Sequence, residues 1–307
     1  WYDATGDYGI HMSHLSHSTW HNPQQMPFSA YAFFKVHEFL TAGGNEEYTM
    51  VKRRALDEGF WGADFLLRMR APSGSFYRTI SRAKALDAVH GTRTLGFEYK
   101  GSSAQFSATA ATADSETVTD ENYECSLRCG RLAGEIFRYQ LHLTDSVVNP
   151  FGYPRMECLD GGTIHTRFFF SHESTAAPWW QGDNARLASL SAAARMLSRV
   201  TPNPDFAARC RKLAQDTLDW ILGCNPFAAC MIEGYGYHNI QYFYEGRYDF
   251  LNCPGGICNG ITSGLHDEEG IEFVTRPTEE VSDNWRWAEQ WIPHASWYLY
   301  AMALKFE

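Results

Sequence analysis

Asp3 and Asp7 bracket Ala-Thr-Gly in WYDATGDYGIHMSHLSHSTWHNP, at one end of the chain. Near the other end, Glu289 lies in DNWRWAEQWIPHASW, with Trp285, Trp287 and Trp291 around it and His294 five residues on. Taken singly, each carboxylate has an ordinary structural reading. An aspartate beside glycine caps a helix or closes an Asx turn, and a glutamate at a helix start meets the positive end of the dipole. Taken together, they match the needs of one reaction. Cleaving a glycosidic bond with inversion needs a carboxylic acid to protonate the leaving oxygen. It also needs a carboxylate on the far face of the sugar to activate water, about 6.5–9.5 Å from the acid. An acid enclosed by tryptophans is partly desolvated, which favours its protonated form and suits the first role. Asp3 and Asp7 suit the second, one taking the proton of the water while the other orients it.

Composition narrows the partners. The 307 residues carry a formal net charge of −10, against the clustered cations that nucleic acid or an anionic membrane surface requires. No stretch of about 18 uninterrupted apolar residues suggests a membrane span. The eight cysteines include no Cys-x-x-Cys pair and no zinc spacing. They read as reduced, mostly buried thiols, which points to a reducing compartment and so to the cytoplasm. His11, His14, His17 and His21 drift around a helix instead of sharing one face, so hydrogen-bonding roles are preferred to a metal site. No calcium loop stands out, and no metal or cofactor is expected.

The aromatic content is high, with 10 Trp, 16 Tyr and 20 Phe. Aromatics are mostly core filler, but several here sit in Gly- and Asn-rich stretches beside carboxylates and amides. Such rings suit a ligand with apolar faces and hydroxyl edges, as a sugar has. In SHESTAAPWWQGDN, Trp179 and Trp180 are candidate stacking residues, and Glu173, Gln181 and Asp183 are candidate acceptors. Asp183 has a rival reading as the N-cap of a helix beginning at Asn184. Trp287, beside Glu289, is a further candidate contact.

The elements that must position these groups read as helices joined by long loops. Leu56, Phe60, Ala63 and Leu67 recur at helical spacing, as do Leu187, Leu190, Ala194 and Leu197. A third stripe is Leu213, Thr217, Leu218, Ile221 and Leu222, with Gly223 as its C-cap. PFSAYAFFKVHEFLTAGG and PHASWYLYAMALKF also read as helices. Period-two patterns are scarce, and residues 228–284 form a long irregular run, a length that tends to be functional. The fold class is mainly α, in one catalytic domain over residues 1–307.

WYDATGD and WAEQWIPHASW resemble the two catalytic motifs of glycoside hydrolase family 9. The Asp-Ala-Thr-Gly-Asp spacing, one residue longer than usual, resembles an exo-acting subgroup that includes bacterial exo-β-D-glucosaminidases. NPQQMPF, GADFLLRM, VVNPFGYPR, WWQGDNARLASL, LDWILGCNPF and GGICNGITSG extend the resemblance over nearly the whole chain. It implies an (α/α)6 toroid of helical hairpins. It also implies Asp7 as base, Asp3 as its assistant and Glu289 as acid. His238, in GYGYHN, falls where the family places a histidine that touches sugar hydroxyls, with Tyr237 beside it as a lesser candidate. Against the family pattern, a leading helix and a middle helical segment near Gln140–Leu141 are expected to be missing, so the toroid reads as incomplete. The resemblance implies hydrolysis of short β-1,4-linked oligosaccharides, glucosamine units preferred. A β-glucosidase or endoglucanase on cellodextrins, a catalytically silent carbohydrate-binding protein and a helical scaffold stand as alternatives.

Overall fold

The computed structural model describes residues 26–44, 46–68, 72, 79–81, 92–94, 120–160, 162–169, 182–241, 253–263, 271–272 and 285–306. Asp3, Asp7, Glu173, Trp179, Trp180 and the histidines at 11, 14, 17 and 21 lie outside these residues. The chain divides into two compact units, one of Trp1–Thr117 with Trp291–Glu307, the other of Val118–Gln290.

In the first unit, helix α1 (Met26–Ala42) packs against α2 (Thr49–Arg68) and α7 (Ile292–Ala303). A 3-10 turn (Glu46–Tyr48) leads into α2, and β1 (Thr79–Ser81) pairs antiparallel with β2 (Thr92–Thr94). The α1–α7 contact is aromatic. Phe28 stacks on Trp297 with centroids 3.6 Å apart, and Tyr300 meets the edge of Phe28 at 5.9 Å. The stripe expected to bury α2 is corrected by about one residue, or 100° of helix. Phe60 and Leu67 are exposed, while Ala55, Gly59, Gly62 and Leu66 face inward. The cause is close approach. A Cβ on Gly62 would lie 2.9 Å from the Ala30 Cβ, and one on Gly59 would lie 2.9 Å from the Phe34 ring. Small residues let the helices come together there, and that outweighs the burial of two larger side chains.

The second unit is built on α3 (Asp120–Asp145), α4 (Asn184–Val200) and α5 (Pro204–Leu222). Phe137, Leu141, Ala194, Leu197, Phe206, Cys210, Leu213 and Ala214 form one buried cluster among them. The expected faces of α4 and α5 hold: Leu187, Ala194, Leu197, Leu213, Thr217, Leu218 and Ile221 are buried, and Leu190 packs at the cluster margin. Leu222 is exposed. Asn203 caps α5 by accepting from the Phe206 N–H at 2.9 Å, with Pro204 in the first turn. Gly223 ends the helix at φ +118°, a conformation that favours glycine. The Gln140–Leu141 step lies inside the unbroken helix α3. Phe137 and Leu141, four residues apart across it, enter the same cluster.

One hairpin escaped the helical reading. β3 (Met156–Asp160) pairs antiparallel with β4 (Thr163–Arg167), and Gly162, at φ +83°, precedes the second strand in a conformation that hairpin turns favour. Two short strands, β5 (Thr262–Ser263) and β6 (Ile271–Glu272), pair farther on, before the four-residue helix α6 (Trp285–Ala288).

Candidate active site

Three segments of the second unit lie side by side, joined by backbone hydrogen bonds. They are residues 230–233 and 256–260, both within the long irregular run 228–284, and residues 286–290, which begin in helix α6. Isolated bridges join Ile232 to Ile257 and Cys258 to Gln290. The Cys258 N–H donates to the Met231 carbonyl at 3.2 Å, and the Asn259 N–H donates to the Glu289 carbonyl at 2.8 Å. The Gly260 N–H donates to the Trp287 carbonyl at 2.9 Å. Glu289 therefore sits in the outer segment of a three-segment ribbon, and it is 4% exposed.

The turn that enters α4 abuts the same ribbon. Gly182 donates to the Arg286 carbonyl at 2.9 Å, and the Asn184 N–H donates to the Asn259 carbonyl at 3.0 Å. The Asn184 side-chain amide reaches the Cys258 carbonyl at 2.8 Å, across 74 residues of sequence. The approach leaves no room for side chains: a Cβ on Gly182 would lie 2.2 Å from the Gly260 carbonyl oxygen. Gln290 ties the ribbon to the turn before it, its Oε1 accepting from the Cys253 N–H at 2.9 Å.

The helix-start reading of Glu289 is not met. Glu289 follows α6 and precedes the Trp291 N-cap of α7, whose first turn holds no acid. Trp287 is 2% exposed, with the Arg286 guanidinium 5.4 Å from its ring centroid. It packs in the interior and presents no open face. Asp183 occupies the N-cap position of α4 but makes no side-chain cap bond, a correction to the capping reading. Its Oδ2 instead accepts from Arg186 Nη2 at 2.7 Å and from the Tyr153 hydroxyl at 3.3 Å. Burial, with the Asp183 charge, pushes the Tyr153 hydroxyl well above its usual range. Tyr153, Arg186, Asn259 and Gln290 lie within the motifs that carry the resemblance, but no local spacing assigned any of them a role. Their partners are remote or depend on the turn before α4.

The described part of the long run 228–284 holds Tyr237 and His238, both exposed. His238 Nδ1 lies 3.2 Å from the Ala228 carbonyl. A carbonyl can only accept, so Nδ1 carries the proton and, in the neutral ring, Nε2 is left as an acceptor.

Cys210, Cys230 and Cys258 are buried free thiols, Cys253 is half-buried and Cys224 exposed. Burial pushes the Cys258 thiol up to about 12 from 9.0. An acid whose folded pKa is raised supports the fold fully below its unfolded pKa and loses that support as pH climbs to the folded one. Stability is therefore expected to fall above pH ~9, by at most about 1.4 kcal/mol per pH unit from this thiol. Urea unfolding from pH 8 to 10.5 checks this: Cys258→Ala should flatten the decline, and an unaltered slope would contradict it.

No protein-family model matches the sequence, and no curated protein sequence matches it significantly. Solved structures do. The chain is similar to a metagenome-derived glycoside hydrolase family 9 endoglucanase, with a TM-score of 0.54 and 14% identity over 93% of this chain and 68% of that one. It is also similar to the cellulase Cel9M of C. cellulolyticum in complex with cellobiose, with a TM-score of 0.50 and 12% identity over 92% of this chain and 84% of that one. The catalytic domain of Clostridium thermocellum CelT gives a TM-score of 0.50 and 12% identity, over 94% and 80% of the two chains. At such identities the likeness shows the fold, the toroid of helical hairpins with long loops expected above. Each of these structures is longer than the part matched. No described helix is long and apolar enough to cross a membrane.

Proposed function

We propose that this protein is an inverting glycoside hydrolase acting on β-1,4-linked oligosaccharides, with Glu289 as general acid, Asp7 as base and Asp3 as the group that orients the water. The observation that carries the reading is the seating of Glu289. It is a buried carboxyl on a hydrogen-bonded three-segment ribbon, outside any helix start, in a chain with the fold of glycoside hydrolase family 9 structures. Glu289 delivers its proton to the glycosidic oxygen as the C1–O bond breaks. Asp7 removes a proton from the water that attacks C1 from the opposite face. Each turnover leaves Glu289 ionised and Asp7 protonated, and solvent exchange restores both. Activity should follow a bell-shaped pH profile, because one carboxyl must be protonated and the other ionised. Proton NMR of the first-formed product is the test. A β-linked substrate must release the α-anomer, and release of the β-anomer would rule the mechanism out.

For the sugar, the longer Asp3–Asp7 spacing supports glucosamine oligosaccharides and removal of units from a chain end. The second reading, hydrolysis of cellodextrins, is favoured by the solved structures of similar fold, which are described as an endoglucanase and a cellulase. Rates on the glucosamine disaccharide and on cellobiose, measured side by side, separate the two. Glu173, Trp179 and Trp180 are proposed to contact the substrate together with Tyr237 and His238.

A further inference from the structure

The loop Gly234–His238 is braced to a degree that its exposure does not explain. The Asn239 side-chain amide donates to the carbonyls of Cys230 at 3.0 Å, Ile232 at 2.9 Å and Tyr235 at 2.8 Å. Its Oδ1 accepts from the Gly234 N–H at 3.2 Å. One amide group has two hydrogens for those three carbonyls, so one hydrogen is shared. The Cys230 N–H closes the loop onto the Tyr237 carbonyl at 2.8 Å. The backbone is also held away from its ordinary conformations. Gly234 and Gly236 lie at φ +76° and +63°, and His238 and Ala228, which are not glycines, lie at +56° and +48°. Left-handed conformations of this kind cost about 1–2 kcal/mol per non-glycine residue, and such outliers gather at ligand clamps.

This bracing presents Tyr235 and Tyr237, which are 63% and 81% exposed. Among the described residues neither ring stacks on another aromatic, and neither hydroxyl has a partner. Two large apolar faces are thus held out to water on a stiff loop, with His238 Nε2 as an acceptor beside them. The base of the loop, Cys230 to Glu233, is one outer segment of the ribbon whose other outer segment carries Glu289. Two inter-strand spacings place these backbones about 10 Å apart, a span that a short oligosaccharide covers.

We propose that the Gly234–His238 loop is a preorganised saccharide-stacking platform. Tyr235 and Tyr237 would hold sugar units beyond the scissile bond, and Asn239 is the positioning residue that keeps their faces presented. A fixed aromatic face binds without the loss of loop freedom that binding otherwise entails. The ligand class rests on the glycosidase reading.

The test compares long with short substrates. For cellohexaose against cellobiose, or the glucosamine hexamer against its dimer, Tyr235→Ala and Tyr237→Ala are each expected to lower the long-to-short ratio of kcat/KM about tenfold. Asn239→Ala should do the same, while Tyr237→Phe keeps the ratio. A ratio unmoved in both tyrosine variants, which are exposed and so leave the fold intact, would overturn the platform. If the unaltered protein hydrolyses neither series, the glycosidase reading fails separately. Calorimetric titration with both hexamers then decides the platform. Binding that weakens about tenfold in Tyr235→Ala and Tyr237→Ala supports it, and absence of binding by the unaltered protein refutes it.

Discussion

Glu289→Gln is expected to reduce kcat about a thousandfold on oligosaccharides, without loss of the fold. A general acid contributes roughly 10²–10⁴ to such a reaction, so a thousandfold change corresponds to about 4 kcal/mol of transition-state stabilisation. Glutamine has the same shape as glutamic acid, so the buried site should repack around it. The backbone bond from Asn259 to the residue-289 carbonyl does not depend on the side chain. What the amide cannot do is deliver a proton. The defect should therefore depend on the leaving group. It should be greatest for sugar alcohols, which need protonation to depart, and much smaller for a nitrophenolate, which does not. Steady-state rates on both substrate types, with thermal unfolding as a control, check the expectation. Equal losses on the two would argue that Glu289 is structural, and an unaltered rate on oligosaccharides would remove it from the mechanism.

The second large effect is expected at Gly182, where the chain enters α4. The Gly182→Ala methyl would meet the carbonyl oxygens of Gly260 at 2.2 Å and Asn259 at 2.4 Å. These are backbone atoms and cannot swing aside. Relief requires the turn and the ribbon to part, which breaks the bonds from Gly182 to the Arg286 carbonyl and from Asn184 to the Asn259 carbonyl. Each buried polar group left unpaired costs about 1–3 kcal/mol, so the variant should lose about 3 kcal/mol of stability. The ribbon also carries Glu289, so activity should fall along with the melting temperature. Denaturant unfolding and kcat together test this. Wild-type stability in Gly182→Ala would mean that the two segments do not approach as described. Gly260→Ala makes an independent check, because its Cβ would lie 2.6 Å from the Asn184 amide nitrogen and its φ of +98° disfavours any side chain.

Much of the helical frame was legible beforehand. α4 and α5 show why: their leucines recur at helical spacing, Gly223 marks where α5 stops, and these cues act within a few residues of one another. α2 shows where such reading stops. Its larger apolar residues made the more visible stripe, yet Gly59 and Gly62 decide which face turns inward, and their importance appears only against Ala30 and Phe34 of another helix. The same holds for Asp183. Its position before a helix was read correctly, and its role was not, because the competing donors on Tyr153 and Arg186 come from another loop and from the first turn of the helix itself.

At the candidate site the division is similar. The residue types that the proposed reaction needs stand in the chain itself: a tryptophan-flanked glutamate, paired aspartates, and aromatic loops rich in glycine and asparagine. Composition and local spacing depend on neighbours in the chain, so a sequence by itself determines them. Only the tertiary structure decided that residues 182–184, 256–260 and 286–290 adjoin, that Trp287 is interior, and that Asn239 braces Tyr235 and Tyr237. Those facts rest on backbone groups tens of residues apart meeting at hydrogen-bonding distance, and no local pattern in a chain encodes which carbonyl a distant amide will find.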